Sequence, residues 1–358
     1  MRVWMRRLGV MLLFLGVAIC FAPTLVPPFL DRVYYDGPTS GHYDGERFFN
    51  LGGTAAAVEA HERGRFDFLF RSWMGAGAEW PERIAVTPTV PPRRVAGGAM
   101  RVTWIGHSTV LVQTRGLNIL TDPVWSERVS PFSFIGPERV RAPGVAFDDL
   151  PPIDLVLLSH NHYDHMDLAT LKRLRERDRP LIVTSLGNDT ILKGEGIGAR
   201  SLDWGERIQV TADIDVVVER NHHWSSRWGT DQNRALWSAF TMRLPGGNIF
   251  FAGDTGWGDG RWVREAAARG PIRLALLPIG AYEPRSFMEV NHVNPEEAMR
   301  IFAMLDPAMA LGIHWGTFQL TWEPIDEPVR RLEALDKTRG VARFVTVEVG
   351  ESFAVPAL

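Results

Sequence analysis

The chain has 358 residues, enough for one large domain or two ordinary ones, and its 39 Lys and Arg side chains nearly balance 42 Asp and Glu. A formal net charge of −3 argues against nucleic-acid binding driven by bulk charge. The single cysteine, Cys20, excludes an internal disulfide, a Cys-x-x-Cys redox motif and a zinc site built from several thiolates. Ten histidines remain as the residues to place.

Residues 1–30 have the composition of a membrane anchor or signal segment. Arg2, Arg6 and Arg7 precede an uncharged stretch from Leu8 to Leu30, although prolines interrupt its second half. A bilayer span needs about 20 such residues. An uncleaved anchor, a cleaved signal peptide and an in-plane or buried helix stay open. The positive-inside rule then predicts a membrane-associated protein with its body on the extracytoplasmic side, or one exported after cleavage.

Residues 31–99 form a mixed connector in which Trp73 and Trp80 lie beside glycines and a Pro-rich stretch. We expect a loosely helical N-terminal extension that packs on or near the main body. Regularly spaced turn residues begin at Met100, so we predict a single main domain over residues 100–358.

From residue 100 the chain alternates short apolar runs with turn residues, a pattern typical of strands with a few covering helices. The predicted strands lie at Val102–Trp104, Val110–Val112, Asn118–Thr121, Asp154–Ser159, Leu181–Thr184, Ile208–Thr211, Asp215–Glu219, Ala239–Leu244, Asn248–Ala252, Leu274–Pro278, Ala310–Ile313 and Phe344–Val347. Two predicted helices follow the candidate caps Asp167 and Asn294. Two more lie near Arg261–Ala268 and Pro328–Leu335. This order predicts an α/β sandwich of two sheets with helices outside.

A histidine-rich hexapeptide, His160–His165, directly follows one of the most apolar predicted strands. Imidazole and carboxylate are the ligands that Zn²⁺ takes when thiolate is absent. His160 and His162 share one face of an extended segment. Asp164 and His165 come after the chain has turned, so the hexapeptide can serve a second metal close by. The His-Glu-x-x-His pattern of helix-borne zinc proteases is absent from the sequence.

Three further apolar runs also end at residues that commonly bind metals. They lead into the His222-His223 pair, into Asp254 and into His314. Gly253 allows the backbone to approach closely just before Asp254. An unpaired carboxylate buried at the end of so apolar a strand would be costly, which favours a bridging metal ligand over a salt bridge. Together with the hexapeptide, these strand ends predict a two-metal site.

The motifs resemble those of the metallo-β-lactamase superfamily of dinuclear metallohydrolases, and most closely the N-acyl-phosphatidylethanolamine-hydrolysing phospholipase D branch. The segments that carry this resemblance are Thr103–His107, Thr121–Pro123, Leu150–Asp154, Ser159–His165, Phe250–Gly256, Pro278–Arg285 and Ile313–Phe318. The resemblance implies a four-layer αββα sandwich, the metallo-β-lactamase fold, over most of the chain.

The resemblance also implies a ligand set for two zinc ions or other divalent metals. In that set His160, His162 and His223 bind the first metal, Asp164, His165 and His314 bind the second, and Asp254 bridges both. His223 is chosen over His222 because it precedes Trp224, as the family ligand does.

Further roles are implied around this set. The catalytic residues would be Asp164, which orients the nucleophile, Asp254, and His292 near the substrate phosphate. The alternative for His292 is an exposed polar residue before a helix cap. Asp122 would orient a metal-bound imidazole, and His107 would be structural near the site floor. Tyr282 and Arg285 either line the substrate pocket or simply pack.

The function that the resemblance implies is hydrolysis of a phosphodiester lipid. The protein would cleave N-acyl-phosphatidylethanolamine or a related glycerophospholipid at a membrane surface to phosphatidate and the headgroup alcohol. A metallolactonase or other small-molecule metallohydrolase is the alternative within the superfamily, and a membrane-tethered binding protein is the alternative of another class. No nucleic-acid partner is expected, and the oligomeric state, a homodimer included, stays open.

Overall fold

The computed structural model describes residues 30–52, 64, 67–340 and 342–358, as well as Arg7 and Met11. The strands are β1 Met100–Gly106, β2 Thr109–Thr114, β3 Leu117–Thr121, β4 Leu155–Leu158, β5 Leu181–Ser185, β6 Arg200–Leu202, β7 Arg207–Thr211, β8 Ile214–Glu219, β9 Ala239–Arg243, β10 Asn248–Phe251, β11 Ile272–Pro278, β12 Met309–Ile313, β13 Phe344–Val345 and β14 Ser352–Ala354. The α-helices are α1 Leu168–Arg177, α2 Asn188–Gly194, α3 Arg261–Ala267, α4 Arg285–Met288, α5 Pro295–Leu305 and α6 Glu327–Arg339.

Within the described part of the chain, the strands form two seven-stranded mixed sheets. The first sheet has the order β14-β1-β2-β3-β4-β5-β6, and the second has the order β13-β12-β11-β10-β9-β8-β7. In the first, β1 to β3 pair antiparallel and β3 to β6 pair parallel. In the second, β7 to β10 pair antiparallel and β10 to β13 pair parallel.

Burial along β4 shows why the sheets are covered on both faces. Leu155 and Leu157 pack into the core between the sheets, whereas Val156 and Leu158 face the outer layer, with Leu171 of α1. Successive side chains of a strand point to opposite faces, so a continuous apolar run is buried on both sides. On the outer face of the second sheet, Trp262 of α3 stacks on Phe250 of β10 with ring centroids 6.4 Å apart. The predicted four-layer αββα sandwich is confirmed.

The N-terminal extension contacts this sandwich at several places, and two of them concern the site. Tyr43 and Phe48 join Leu236 and Trp237 in a small separate core. Farther along, Phe68 of the helical residues 67–73 stacks on the Phe287 ring with centroids 4.9 Å apart. Both contacts lie beside the loops that follow the strand ends.

The prediction of a membrane-associated localisation is wrong, because the helices that the structure describes contradict it. Among these residues, no helix combines the length and the apolar character that crossing a bilayer requires. The segment on which that prediction was based, residues 1–30, lies outside the described residues except for Arg7, Met11 and Leu30.

Candidate metal centre

Strand topology brings the predicted ligands to one edge of the sandwich. β4 leads into His160–His165 in the first sheet, and β8, β10 and β12 lead into His223, Asp254 and His314 in the second. Because β8, β10 and β12 run in the same direction, their carboxyl ends meet at one edge. All seven predicted ligands converge there, in overlapping groups whose candidate ligand atoms lie within 4.8 Å of one another.

One group consists of His160, His162 and His223. His160 Nε2 lies 2.8 Å from His162 Nδ1, and His223 Nε2 lies 3.4 Å from the same His162 atom. Three imidazoles from two sheets therefore converge on one point, which is the arrangement that a metal with several nitrogen ligands needs.

The second group contains Asp164, His165 and His314, together with His107. Asp164 Oδ2 lies 3.2 Å from His165 Nε2 and 3.4 Å from His314 Nε2. His107, expected to be structural, contacts Asp164 directly, with His107 Nε2 2.9 Å from Asp164 Oδ2. His107 is therefore placed either to orient this carboxylate or to join the group itself.

Asp254 lies between the two groups. Its Oδ2 atom is 2.9 Å from His314 Nε2, 3.1 Å from His165 Nε2 and 3.9 Å from His223 Nε2. Gly253 makes this approach feasible, because a Cβ there would lie 2.9 Å from both Ser159 Cβ and a backbone carbonyl oxygen, and its φ is +59°. A carboxylate in this position can contact cations held by either group.

Asp122 is fully buried behind the hexapeptide. Its Oδ2 lies 2.6 Å from His165 Nδ1 and accepts a hydrogen bond of 2.6 Å from Ser159 Oγ, while Oδ1 accepts one of 2.7 Å from the Ser159 backbone N–H. Ser159 Oγ in turn lies 2.8 Å from His160 Nδ1. Because these contacts occupy the Nδ1 atoms of His165 and His160, the Nε2 atoms point into the centre. Residues that hold a metal-binding histidine by its other ring nitrogen orient it in this way.

The two adjacent histidines after β8 point in different directions. The Nδ1 atom of His223 lies 3.0 Å from the Asn291 carbonyl oxygen, so its Nε2 faces the centre. The Nδ1 atom of His222 lies 2.9 Å from the Val290 carbonyl oxygen, and its ring packs against Gly258. Only His223 of this pair belongs to the groups of candidate ligands found among the described residues.

Comparison with known proteins agrees with this geometry. The β-lactamase superfamily domain model matches residues 117–315. The chain is 38% identical over 263 residues to N-acyl-phosphatidylethanolamine-hydrolyzing phospholipase D 1 of Caenorhabditis elegans, covering 70% of this chain and 74% of the worm protein. It is 36% identical over 245 residues to the mitochondrial enzyme of that name in Saccharomyces cerevisiae, covering 66% of this chain and 52% of the yeast protein. This chain belongs to the metallo-β-lactamase superfamily.

Within the superfamily, the chain falls in the phospholipase D branch that its motifs indicated. The solved isothiocyanate hydrolase from Delia radicum gut bacteria has the same fold, with a TM-score of 0.59 and 21% identity over 72% of this chain and 100% of that one. Other relatives are metal-dependent hydrolases of archaea, such as one from Methanopyrus kandleri at 27% identity. The protein is therefore a hydrolase of a metal-dependent superfamily, with a His/Asp cluster able to hold metal.

Burial and charge pairing set the protonation of this metallo-β-lactamase centre. Burial and neighbouring imidazoles hold the pKa of His160 well below its usual value. Burial also opposes charge on His314, but Asp254 and Asp164 outweigh it and raise its pKa to about 9. Burial acts to raise the pKa of Asp254, yet His165 and His314 hold it well below the ordinary value. Asp254 and Asp164 therefore stay ionised.

The polar atoms of the centre fit a metal. Asp254 Oδ1 is buried and has no hydrogen-bond partner among the residues that the structure describes. A buried polar atom without a partner is costly. Cations with oxygen and nitrogen ligands would satisfy such atoms, and the donor set is one that zinc and related divalent metals accept.

A cavity of about 250 Å³ opens onto the centre. His162, Asp164, Asp254 and His292 line its floor. Its walls are mainly apolar and include Phe68, Leu69, Trp224, Ala281, Phe287, Met288 and Leu320. His292 is only 8% exposed, so it is not the exposed polar residue of the alternative interpretation.

Tyr282 and Arg285 are not among the residues that line this cavity. The Tyr282 hydroxyl donates to Glu327 Oε1 at 2.9 Å, and Arg285 donates to the His292 carbonyl oxygen at 2.7 Å. These contacts fit the packing alternative. The apolar wall contributed by Phe68 and Leu69 was not predicted, because no local pattern links those residues to the strand ends.

Proposed function

We propose that this protein is a phospholipase D-type phosphodiesterase that uses two zinc ions, or other divalent cations, at the His/Asp centre. Its substrate is N-acyl-phosphatidylethanolamine or a related glycerophospholipid, and its products are phosphatidate and the headgroup alcohol. The observation that carries the proposal is the position of Asp254 Oδ2, within 4 Å of imidazoles from both ligand groups. The named activity of the worm and yeast relatives supports the choice of a lipid phosphodiester.

The ligand assignment follows from the two groups. His160, His162 and His223 would hold one cation, Asp164, His165 and His314 the other, and Asp254 would contact both. When bound, a pair of divalent cations neutralises phosphate oxygens and acidifies a water molecule. The seven side chains would provide binding and charge balance, with the histidines bound in their neutral form.

Two side chains act on the substrate side, Asp164 of the ligand set and His292 outside it. Asp164, held by His107 at 2.9 Å, would accept a hydrogen bond from the attacking water and orient it. Burial lowers the pKa of His292 to about 3, so its imidazole is neutral at physiological pH. A neutral imidazole on the cavity floor can hold a proton for a hydrogen bond to a phosphate or leaving-group oxygen.

The cavity wall favours a lipid over a sugar lactone. The space above the centre is lined by the apolar side chains of Phe68, Leu69, Phe287 and Met288. An acyl chain buried against them would gain about 0.8 kcal/mol of binding free energy per methylene. The reaction would therefore belong to residues 100–358, with the N-terminal extension supplying Phe68 and Leu69 to the substrate wall.

The test is a substrate panel on the purified full-length protein. N-acyl-phosphatidylethanolamine, phosphatidylethanolamine, a chromogenic phosphodiester and a lactone are each incubated with and without chelator, and products are identified by mass spectrometry. We expect phosphatidate and an N-acylethanolamine from the first lipid, loss of turnover with chelator and recovery with zinc. Lactone hydrolysis without phosphodiester hydrolysis would favour the metallolactonase alternative, and turnover that resists the chelator would contradict the metal dependence.

A further inference from the structure

Arg227 connects two of the loops that carry proposed ligands, the one after β4 and the one after β8. It lies in the loop between β8 and β9, four residues after His223, and its Nη1 donates to the carbonyl oxygens of Asn161 at 2.9 Å and Met166 at 3.1 Å. Its guanidinium also lies over the Tyr163 ring, 3.9 Å from the centroid. The hexapeptide belongs to the first sheet and the β8–β9 loop to the second, so these hydrogen bonds cross between the sheets.

Asp231 fixes the backbone from which Arg227 projects. This carboxylate is fully buried, and its Oδ1 accepts from the N–H groups of Arg227 at 3.0 Å and Trp228 at 2.8 Å. Its Oδ2 accepts from the hydroxyl of Tyr34 at 2.8 Å, and Tyr34 belongs to the N-terminal extension. The extension therefore reaches the Arg227 turn through one buried carboxylate.

Asn50 connects the extension to a proposed ligand more directly. Its Nδ2 donates to the His223 carbonyl oxygen at 2.7 Å, and its Oδ1 accepts from Trp237 Nε1 at 3.1 Å. The Phe48 N–H donates to the Asn233 carbonyl oxygen at 2.8 Å in the same loop. The amide of Asn50 is thus held at both ends, with the donor end on the backbone of His223.

We propose that Tyr34, Asn50, Arg227 and Asp231 form a clamp of positioning residues that fixes the spacing between the two ligand loops. Metal affinity depends on ligand geometry to within about 0.5 Å, so two loops on different sheets need a rigid connection. The clamp provides one from outside the seven ligands. It makes residues 31–50 part of the metal site, although they hold none of the proposed ligands.

The test rests on the proposed function and uses metal binding to the full chain as its readout. Arg227→Met keeps the length of the side chain but removes the hydrogen bonds that cross the sheets. Asn50→Asp keeps the shape of the side chain but replaces the donor Nδ2 with a carboxylate oxygen, which cannot donate to the His223 carbonyl oxygen. Arg243→Met is the matched control, because Arg243 pairs with Asp215 at the far end of β9, away from the centre.

Zinc dissociation constants are measured by competition with a chromophoric chelator, together with the visible spectrum of the Co²⁺-loaded protein and the thermal midpoint without metal. We expect Arg227→Met and Asn50→Asp to raise the dissociation constant about tenfold or more and to change the Co²⁺ spectrum. Their midpoints without metal should fall no further than that of the control. Arg227→Lys should restore part of the affinity.

The outcomes separate the clamp from the proposed function. If the wild-type protein binds neither zinc nor another divalent cation, the proposed function fails. If it binds zinc and both clamp variants keep its affinity and its Co²⁺ spectrum, the clamp is wrong. An affinity loss matched by an equal loss in Arg243→Met would also overturn the clamp, since it would reflect general destabilisation.

Discussion

His222 and His223 are neighbours in sequence but have different surroundings. His223 is fully buried among the candidate ligands, whereas the His222 ring packs against Gly258 outside them. The pair therefore offers a substitution and its control at adjacent positions.

We expect His223→Ala to lose at least one metal ion per chain and to lower kcat/KM about 100-fold or more, because one metal-ligand bond disappears. His222→Ala should keep the metal content of the wild type. Metal analysis by emission spectrometry and phosphodiester hydrolysis provide the measurements. Full metal content in His223→Ala, or a larger loss in His222→Ala, would contradict the assignment of His223.

Asp122 offers a second test at this scale, because it contacts His165 and Ser159 without facing the cavity. Asp122→Asn replaces an acceptor with a donor, which should weaken zinc binding about tenfold or more. Asp154→Asn is the control, since Asp154 accepts from the Asn118 N–H at the opposite end of β4. Competition titrations with a chelator compare the two, and equal affinities would remove Asp122 from the site.

Residue-level prediction succeeded where the side chain follows a strand end and failed where tertiary contacts decide. Asp254 could be recognised because an apolar strand stops at a carboxylate. Tyr282 could not be placed, because its hydroxyl binds Glu327, 45 positions away. Arg227 was not recognised either, since its partners Asn161 and Met166 lie more than 60 positions away.

At the scale of elements, strong patterns located the long strands and the capped helices. Asn294 caps α5 as predicted, and together with Glu297 it forms a capping box. Short elements were missed: β6 and β14 have three residues each, too few for a periodicity. β14 pairs with β1 across about 250 residues, which no local pattern indicates.

The helical residues 67–73 carry a prediction about substrate binding. Phe68→Ala removes an aromatic wall of the cavity, so kcat/KM for a long-chain lipid should fall about tenfold, the effect of losing roughly 1.5 kcal/mol of apolar contact. Hydrolysis of a water-soluble phosphodiester should change less than twofold, because that substrate does not reach the wall. Trp73→Ala, on the same helical segment but 79% exposed, is the control. Equal losses on both substrates would show that Phe68 acts on the fold instead.

The N-terminal extension carries a prediction about stability in acid. A hydrogen bond from Arg234 at 2.7 Å and the charge of Arg47 hold the pKa of Asp31 below its ordinary value. A lowered pKa in the folded state stabilises the protein above the unfolded pKa of about 3.9, and this contribution is lost as the pH falls through the folded pKa.

Asp31→Asn should therefore lower the thermal midpoint at pH 7 by about 1–2 °C, the small effect expected of a solvent-screened ion pair. The difference from wild type should shrink as the pH falls through the lowered folded pKa of Asp31, because the wild-type carboxylate is then protonated too. Thermal denaturation from pH 7 to pH 3 measures it. A difference that persists unchanged in acid would mean that Asp31 contributes through shape and not through charge.

The whole molecule explains why four separated segments form one centre. β4 lies in the first sheet and β8, β10 and β12 in the second, and the sandwich places the carboxyl ends of all four at one edge. The two sheets could be predicted from apolar runs and turns, and the superfamily from the ligand motifs. The depth of the cavity and the route of the extension could not, because both depend on how the sheets and loops pack in three dimensions.

The central claim is that the His/Asp centre holds the metal on which hydrolysis depends. The most direct measurement is metal content and phosphodiester hydrolysis of the wild type, Asp254→Asn and the control Asp259→Asn, whose carboxylate caps the Arg261 N–H in the same loop. We predict two divalent ions per chain in the wild type and the control. Asp254→Asn should hold fewer than one and lose about 1,000-fold or more in turnover. Asp254→Asn with full metal content and full activity would contradict the account.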